Sequence, residues 1–179
     1  MNTANKLTLT RIVLIPLFLV VLYLDFPFNR YLALAIFVLA SVTDFIDGYI
    51  ARHYDQVTDF GKFMDPLADK LMTFTVIICI TAARIIPVWA VAIFFLKEAA
   101  MGVGALSMYH KTDDVIPSNW LGKASTGVFF VVCAALVLFP AIPKPWATGL
   151  ITFALALTIA AFLRYLWQYL VVTGRKKAK

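Results

Sequence analysis

Charge is what this 179-residue chain has least of: Asp, Glu, Lys and Arg together make up 15% of it, against 62% hydrophobic residues. A water-soluble globule carries about a quarter charged residues. A compact domain of this length could not hide so much apolar surface, because a large share of it must lie outside. That shortage excludes a soluble enzyme, a disordered protein and a nucleic-acid-binding domain. The net charge of +6 then reads as cytoplasmic anchoring and attraction to anionic lipid, with no nucleic acid as partner. Cysteine is scarce as well. Cys79 and Cys133 each sit inside a long apolar run, as small buried hydrophobes rather than a disulfide or a metal pair. The two histidines, His53 and His110, fall at segment ends and read as surface residues. Polar stretches are nearly missing. Only 110–119 (HKTDDVIPSN) resembles a solvated loop, so no soluble domain is inserted, and no repeat of fixed period is visible. A cleaved signal peptide is not expected, since the small-x-small triplet Ala33-Leu34-Ala35 lies inside a second apolar segment.

What is present is a series of six apolar segments, near 7–24, 30–52, 62–83, 85–109, 121–139 and 146–172. Each approaches or exceeds the ~20 residues that a helix needs to cross ~30 Å of hydrocarbon. The short alternating pattern of transmembrane strands is absent. The expectation is an all-α integral membrane protein with six transmembrane helices, forming one domain over 1–179. The stretches 25–29 and 140–145 read as tight turns at the membrane surface. Basic residues set the orientation. Lys6, Arg52, Lys62, Lys111, Lys123 and the tail Arg175, Lys176, Lys177 and Lys179 fall on one side, and only Arg30, Arg84 and Lys144 on the other. The imbalance puts both termini in the cytoplasm, in a multi-pass protein of the cell membrane. Trp89, Trp120 and Trp146, near segment ends, suit interfacial anchors.

The few acidic residues are unevenly placed. Six of the ten fall between Asp44 and Asp69, and four of these, Asp44, Asp47, Asp65 and Asp69, lie inside apolar segments. A carboxylate at membrane depth costs several kcal/mol by most estimates, about 3 or more, and clustered ones repel each other. Asp44 and Asp47 are three apart and Asp65 and Asp69 four apart, so each pair shares a helix face, with Gly48 and Gly61 on the same stripes. Counting helical rise from the cytoplasmic ends puts Asp44 and Asp47 about 12 and 8 Å deep, and Asp65 and Asp69 about 5 and 10 Å deep. Both pairs reach one level. Four carboxylates without His or Cys make a hard oxygen site suited to Mg²⁺ or Mn²⁺, and two divalent ions would balance four charges. Arg52, one turn beyond Gly48, could face a phosphate bidentately. Spacing alone leaves open a metal–phosphate site, a transport pathway, ion-pair staples and a proton relay.

The run Asp44-x2-Asp47-Gly48-x2-Ala51-Arg52-x8-Gly61-x3-Asp65-x3-Asp69 resembles the signature of the CDP-alcohol phosphotransferase family at all eight positions and all spacings. Asn5-Lys6-Leu7-Thr8-Leu9-Thr10-Arg11 resembles the N-x-L-T-x-x-R opening of its phosphatidylglycerophosphate synthase branch, and Gly122-Lys123-Ala124-Ser125-Thr126 a G-K-x-x-T segment of the same branch. The resemblance implies a membrane enzyme, a homodimer in typical members, with its active site facing the cytoplasm. It would cleave CDP-diacylglycerol and move the phosphatidyl group to an alcohol, releasing CMP. By that resemblance Asp44, Asp47 and Asp65 bind metal, while Asp69 is both metal-associated and the general base. The resemblance also implies that Gly48, Ala51, Arg52 and Gly61 line the CDP pocket. Arg11, about 8 Å inside the first segment at the level of the aspartates, reads as facing that site, with Thr8 one turn away in reach of the nucleotide.

Glycerol 3-phosphate is the expected acceptor. A phosphorylated acceptor needs a further cation, for which Arg164, which interrupts the sixth segment, and Lys123 are the candidates. A cardiolipin synthase using phosphatidylglycerol, or a transferase to inositol or inositol phosphate, is the alternative within the family. A membrane prenyltransferase lacks the Gly-x2-Ala-Arg extension, and an ion-coupled transporter is the non-enzyme alternative. Lys97-Glu98 stands where the branch often carries Arg-Glu. Neighbours on a helix diverge by about 100°, so these two need not pair.

Overall fold

The computed structural model describes the backbone of residues 3–53, 59–109 and 120–177, and the side chains of 10–43, 67, 68, 70–104 and 120–168. Among the described residues all regular structure is helical, in six helices. These are α1 (Thr3–Tyr23), α2 (Asn29–His53), α3 (Asp59–Ala82), α4 (Val88–Tyr109), α5 (Trp120–Leu138) and α6 (Lys144–Lys177). They match the six apolar segments to within a few residues at most ends. Two of them, over Trp120–Leu138 and Lys144–Gln168, are long and apolar enough to cross a membrane. Thr10–Tyr23, Asn29–Thr43 and Lys70–Ala82 form shorter apolar helices. The expected solvated loop, 110–119, lies outside the described residues.

Local chemistry explains where the helices stop. Asn29 opens α2 and its amide Nδ2 donates to the carbonyls of Leu22 and Leu24 at 3.2 and 2.8 Å, satisfying orphan acceptors at the end of α1. Pro87 precedes α4, which therefore starts at Val88 rather than near residue 85. Pro145 occupies the first turn of α6, where its missing N–H has no helical partner to lose. Pro16 lies within the continuous α1. After α3, Arg84 takes a left-handed conformation with φ of 57°, the place where glycine usually ends a helix. Within the helices, the hydroxyls of Ser41, Thr75, Thr81 and Thr152 donate to carbonyls four residues back. This back-bonding satisfies each hydroxyl inside its own helix.

The chain forms two compact units: Met1–Ala82 with Ala134–Ala141, and Ala83–Cys133 with Ile142–Lys179. In the first, α1 packs on both α2 and α3, and α2 reaches α3. Arg11, Leu14, Phe18 and Val21 make one buried stripe on α1; Ala33, Ile36, Phe37 and Ala40 make another on α2; Ala68, Met72, Val76 and Ile80 line α3. Helical spacing of three and four residues produces each stripe. The Phe18 and Phe37 rings meet with centroids 6.4 Å apart, tying α1 to α2. Arg30 Nη1 donates to the Val137 carbonyl at 3.3 Å, a cation at the C-terminal end of α5.

In the second unit α4 packs on α6. The buried face of α6 carries Ala147, Ile151, Ala154, Leu155 and Thr158, whose hydroxyl donates to the Leu155 carbonyl at 2.9 Å. Phe94 of α4 stacks on Phe129 of α5, with centroids 4.6 Å apart and the ring planes 10° from parallel. Cys79 in the first unit and Cys133 in the second are free and buried, as expected of small apolar residues.

Candidate active site

Three helix ends supply the signature. A connection of 24–28 joins α1 to α2 and one of 54–58 joins α2 to α3, so successive helices that pack on each other run antiparallel. The start of α1, the end of α2 and the start of α3 therefore share one end of the first unit. Asp44, Asp47, Gly48, Ala51 and Arg52 stand on α2, Gly61, Asp65 and Asp69 on α3, and Thr8 and Arg11 on α1. Apart from Arg11, the side chains of these residues lie outside the described ones, and their helix positions carry the geometry.

That register is informative. Seven residues bring an α-helix back to within about 20° of the same face. Asp44 and Asp47 stand seven residues after Phe37 and Ala40, both buried. Asp65 and Asp69 stand seven residues before Met72 and Val76, also both buried, and Gly61 stands seven before the buried Ala68. Each aspartate position is thus one heptad from a core residue of its own helix. Thr43, just before Asp44, donates its hydroxyl to the Ala40 carbonyl at 2.8 Å, which occupies that donor within the helix.

Arg11 is the described member of the set, and only 1% of it is exposed. It is seven residues before Phe18, which is fully buried, so the guanidinium belongs to the interior stripe of α1. An arginine is among the costliest groups to bury unless charged or polar partners receive it. That burial takes Arg11 off the outer face of α1. The chemistry of the set also fits the expected ions. Four carboxylates on two packed helices are hard oxygen donors by chemistry, and a guanidinium suits a phosphate.

The acceptor candidates belong to the second unit. Lys123 is exposed near the start of α5, and Arg164 is exposed on α6. Ser125 and Thr126, in the segment after Lys123, both donate their hydroxyls to the Gly122 carbonyl, at 2.9 and 3.0 Å. These donors are committed to the helix turn. Lys97 and Glu98 do form an ion pair, both side chains mostly buried, although adjacent helix positions diverge. Their long side chains bend together because an unpaired buried charge is costly. The Lys97 ammonium also lies 5.4 Å from the centre of the Phe94 ring, which is itself stacked on Phe129. Spacing rules hold no signal for this bracing, since they treat neighbours as facing apart. Among the described residues, no group of three or more His, Cys, Asp or Glu gathers as a metal cage.

Known proteins resemble the chain over nearly its whole length. The CDP-diacylglycerol–glycerol-3-phosphate 3-phosphatidyltransferase of Bacillus subtilis (strain 168) is 36% identical over 186 residues, covering 94% of this chain and 93% of that protein. A protein of the same name from Salmonella typhimurium (strain LT2) is 33% identical over 177 residues, covering 92% of this chain and 93% of its own. Another from Rickettsia bellii (strain RML369-C) reaches 53% identity over 77 residues, 43% of this chain and 42% of that one. The sequence model of the CDP-alcohol phosphatidyltransferases matches residues 1–166, which takes in all eight signature positions. The chain belongs to the CDP-alcohol phosphatidyltransferase family.

Proposed function

We propose that this protein transfers the phosphatidyl group of CDP-diacylglycerol to glycerol 3-phosphate, giving phosphatidylglycerol phosphate and CMP. The observation that carries the reading is the heptad register linking all four aspartates to buried positions of α2 and α3. The names of the relatives in Bacillus and Salmonella, each spanned over 93% of its length, support the same acceptor. The chain is embedded as a multi-pass protein of the cell membrane, with six spans, cytoplasmic termini and a cytoplasm-facing site. The basic residues near the ends of the first, second, third and fifth helices and the tail support that orientation.

Each residue has a chemical task. The hydroxyl oxygen of glycerol 3-phosphate attacks the phosphorus that bears diacylglycerol, and the bond from that phosphorus to the bridging oxygen of CMP breaks. Asp69 accepts the hydroxyl proton, and CMP leaves with the bridging oxygen. Asp44, Asp47, Asp65 and Asp69 hold Mg²⁺ or Mn²⁺, two ions per site, which when bound offset the charge of the pyrophosphate. Arg11 and Arg52 contribute forked N–H donors to phosphate oxygens, with Thr8 beside them. Gly48, Ala51 and Gly61 keep the helix surfaces low enough for the nucleotide to lie against them. Lys123 receives the phosphate of the acceptor as a mobile point charge.

Purified protein supplied with CDP-diacylglycerol and one acceptor at a time tests the reading. CMP release should require glycerol 3-phosphate. Release with phosphatidylglycerol alone would make the protein a cardiolipin synthase instead, and ion flux in proteoliposomes without CMP release would make it a transporter.

A further inference from the structure

One face of α6 is exposed along most of the helix. Trp146, Leu150, Phe153, Ala160, Arg164 and Trp167 are all exposed and recur along one stripe, opposite the buried face. Trp146 and Trp167 are 71% and 66% exposed and stand 21 residues apart. At helical rise their separation is about 32 Å, matching a hydrocarbon core of about 30 Å. Exposed tryptophans at that spacing mark the two membrane interfaces. Arg164 comes three residues before Trp167, about 5 Å on the hydrocarbon side of the inner boundary. It stands 18 residues, or five helical turns, after Trp146, hence squarely on the exposed stripe. Among the described residues it makes no hydrogen bond or ion pair that would satisfy its charge.

We propose that Arg164 and Trp167 form a binding site for the headgroup phosphate of an anionic phospholipid in the inner leaflet. This site rests on the chain being membrane-embedded and is separate from the transfer reaction. An arginine at this depth reaches outward to the interface, and the nearest acceptors there are lipid phosphodiester oxygens. The guanidinium fork matches two of those oxygens, and the indole ring holds the side chain at headgroup level. The lipid's phosphate, rather than the phosphate of soluble glycerol 3-phosphate, is the partner that an exposed, belt-level arginine selects.

The test is a protein with Trp89, Trp120 and Trp146 changed to Phe, reconstituted in vesicles that carry chain-brominated phospholipid as fluorescence quencher. Brominated phosphatidylglycerol should associate at Trp167 about three- to fivefold more tightly than brominated phosphatidylcholine, as expected for one basic side chain at the surface. Arg164→Gln should bring that ratio close to one, while Arg164→Lys retains most of it. A companion protein retaining only Trp146 should show a ratio near one. Unchanged elution on size exclusion checks that each variant is folded. Equal quenching by the two lipids, or a ratio that survives Arg164→Gln, would overturn the proposal. So would a Trp167 that neither lipid quenches, since another protein surface would then cover the face. A preference abolished by glycerol 3-phosphate would assign Arg164 to the soluble acceptor instead.

Discussion

Arg11 carries a positive charge into the interior of the first unit, and its burial gives it consequences for both binding and stability. Arg11→Lys keeps the charge but loses the planar fork, so the KM for CDP-diacylglycerol should rise about tenfold with little loss of folded protein. Arg11→Met leaves whatever faced the guanidinium without its cation. Activity should vanish, and thermal stability should fall by an amount of order 3 kcal/mol. Asp69→Asn is the sharper probe of chemistry, because it preserves shape and removes the proton acceptor. Turnover should drop by about 10²-fold or more at unchanged elution and helix content, and near-normal turnover would remove Asp69 from the role of base. The four aspartates stand out in the sequence because a carboxylate inside an apolar run is expensive. Arg11 stands out in the same way, as a charge inside the first apolar segment, and its burial fits that cost. The pairing of Lys97 with Glu98 was not, because helical spacing places neighbours on different faces and only side-chain length lets them meet.

That pair shapes an element as well as a contact. Lys97 and Glu98 interrupt the middle of α4, where Phe94 links them to Phe129 of α5. Breaking one partner, as in Glu98→Gln, should destabilise the detergent-solubilised protein by about 3 kcal/mol. Replacing both by Lys97→Met and Glu98→Gln should cost less than that single change. Thermal unfolding of the two variants beside wild type reads this directly; a double variant less stable than Glu98→Gln would argue against an isolated ion pair. At the end of α3, Arg84 occupies a left-handed position that suits glycine, so Arg84→Gly should raise stability by up to about 1 kcal/mol. Helix number and approximate bounds followed from the apolar runs. Helix length did not: α6 continues to Lys177, past the end of its apolar run near 172, because adding residues to a formed helix costs less than starting one, and Gly174 alone does not stop it. The start of α4 shifted for the opposite reason, since Pro87 excludes the residues before it.

The whole molecule divides into two packing units, yet the family match runs through both and ends at residue 166. Sequence recognition and compact packing thus draw different boundaries, since the match follows ancestry while the units follow contact. The signature lies in the first unit and both acceptor candidates in the second. Chemistry could be read most fully where rare charge is concentrated, and least where acceptor choice depends on a lysine or arginine that also serves orientation. Cysteines introduced at the two ends of a chain with Cys79 and Cys133 replaced should label only from the cytoplasmic side; labelling of either from outside would reverse the proposed orientation.

Phosphatidyl transfer itself is tested by following CDP-diacylglycerol radiolabelled at the phosphorus that bears diacylglycerol, in the presence of glycerol 3-phosphate and Mg²⁺. The expected result is label entirely in a lipid more acidic than the starting phosphatidyl group, with unlabelled CMP released in equal amount and nothing formed by Asp69→Asn. Label recovered in phosphatidic acid beside a cytidylyl-linked glycerol phosphate would mean attack at the other phosphorus, and would contradict the assignment.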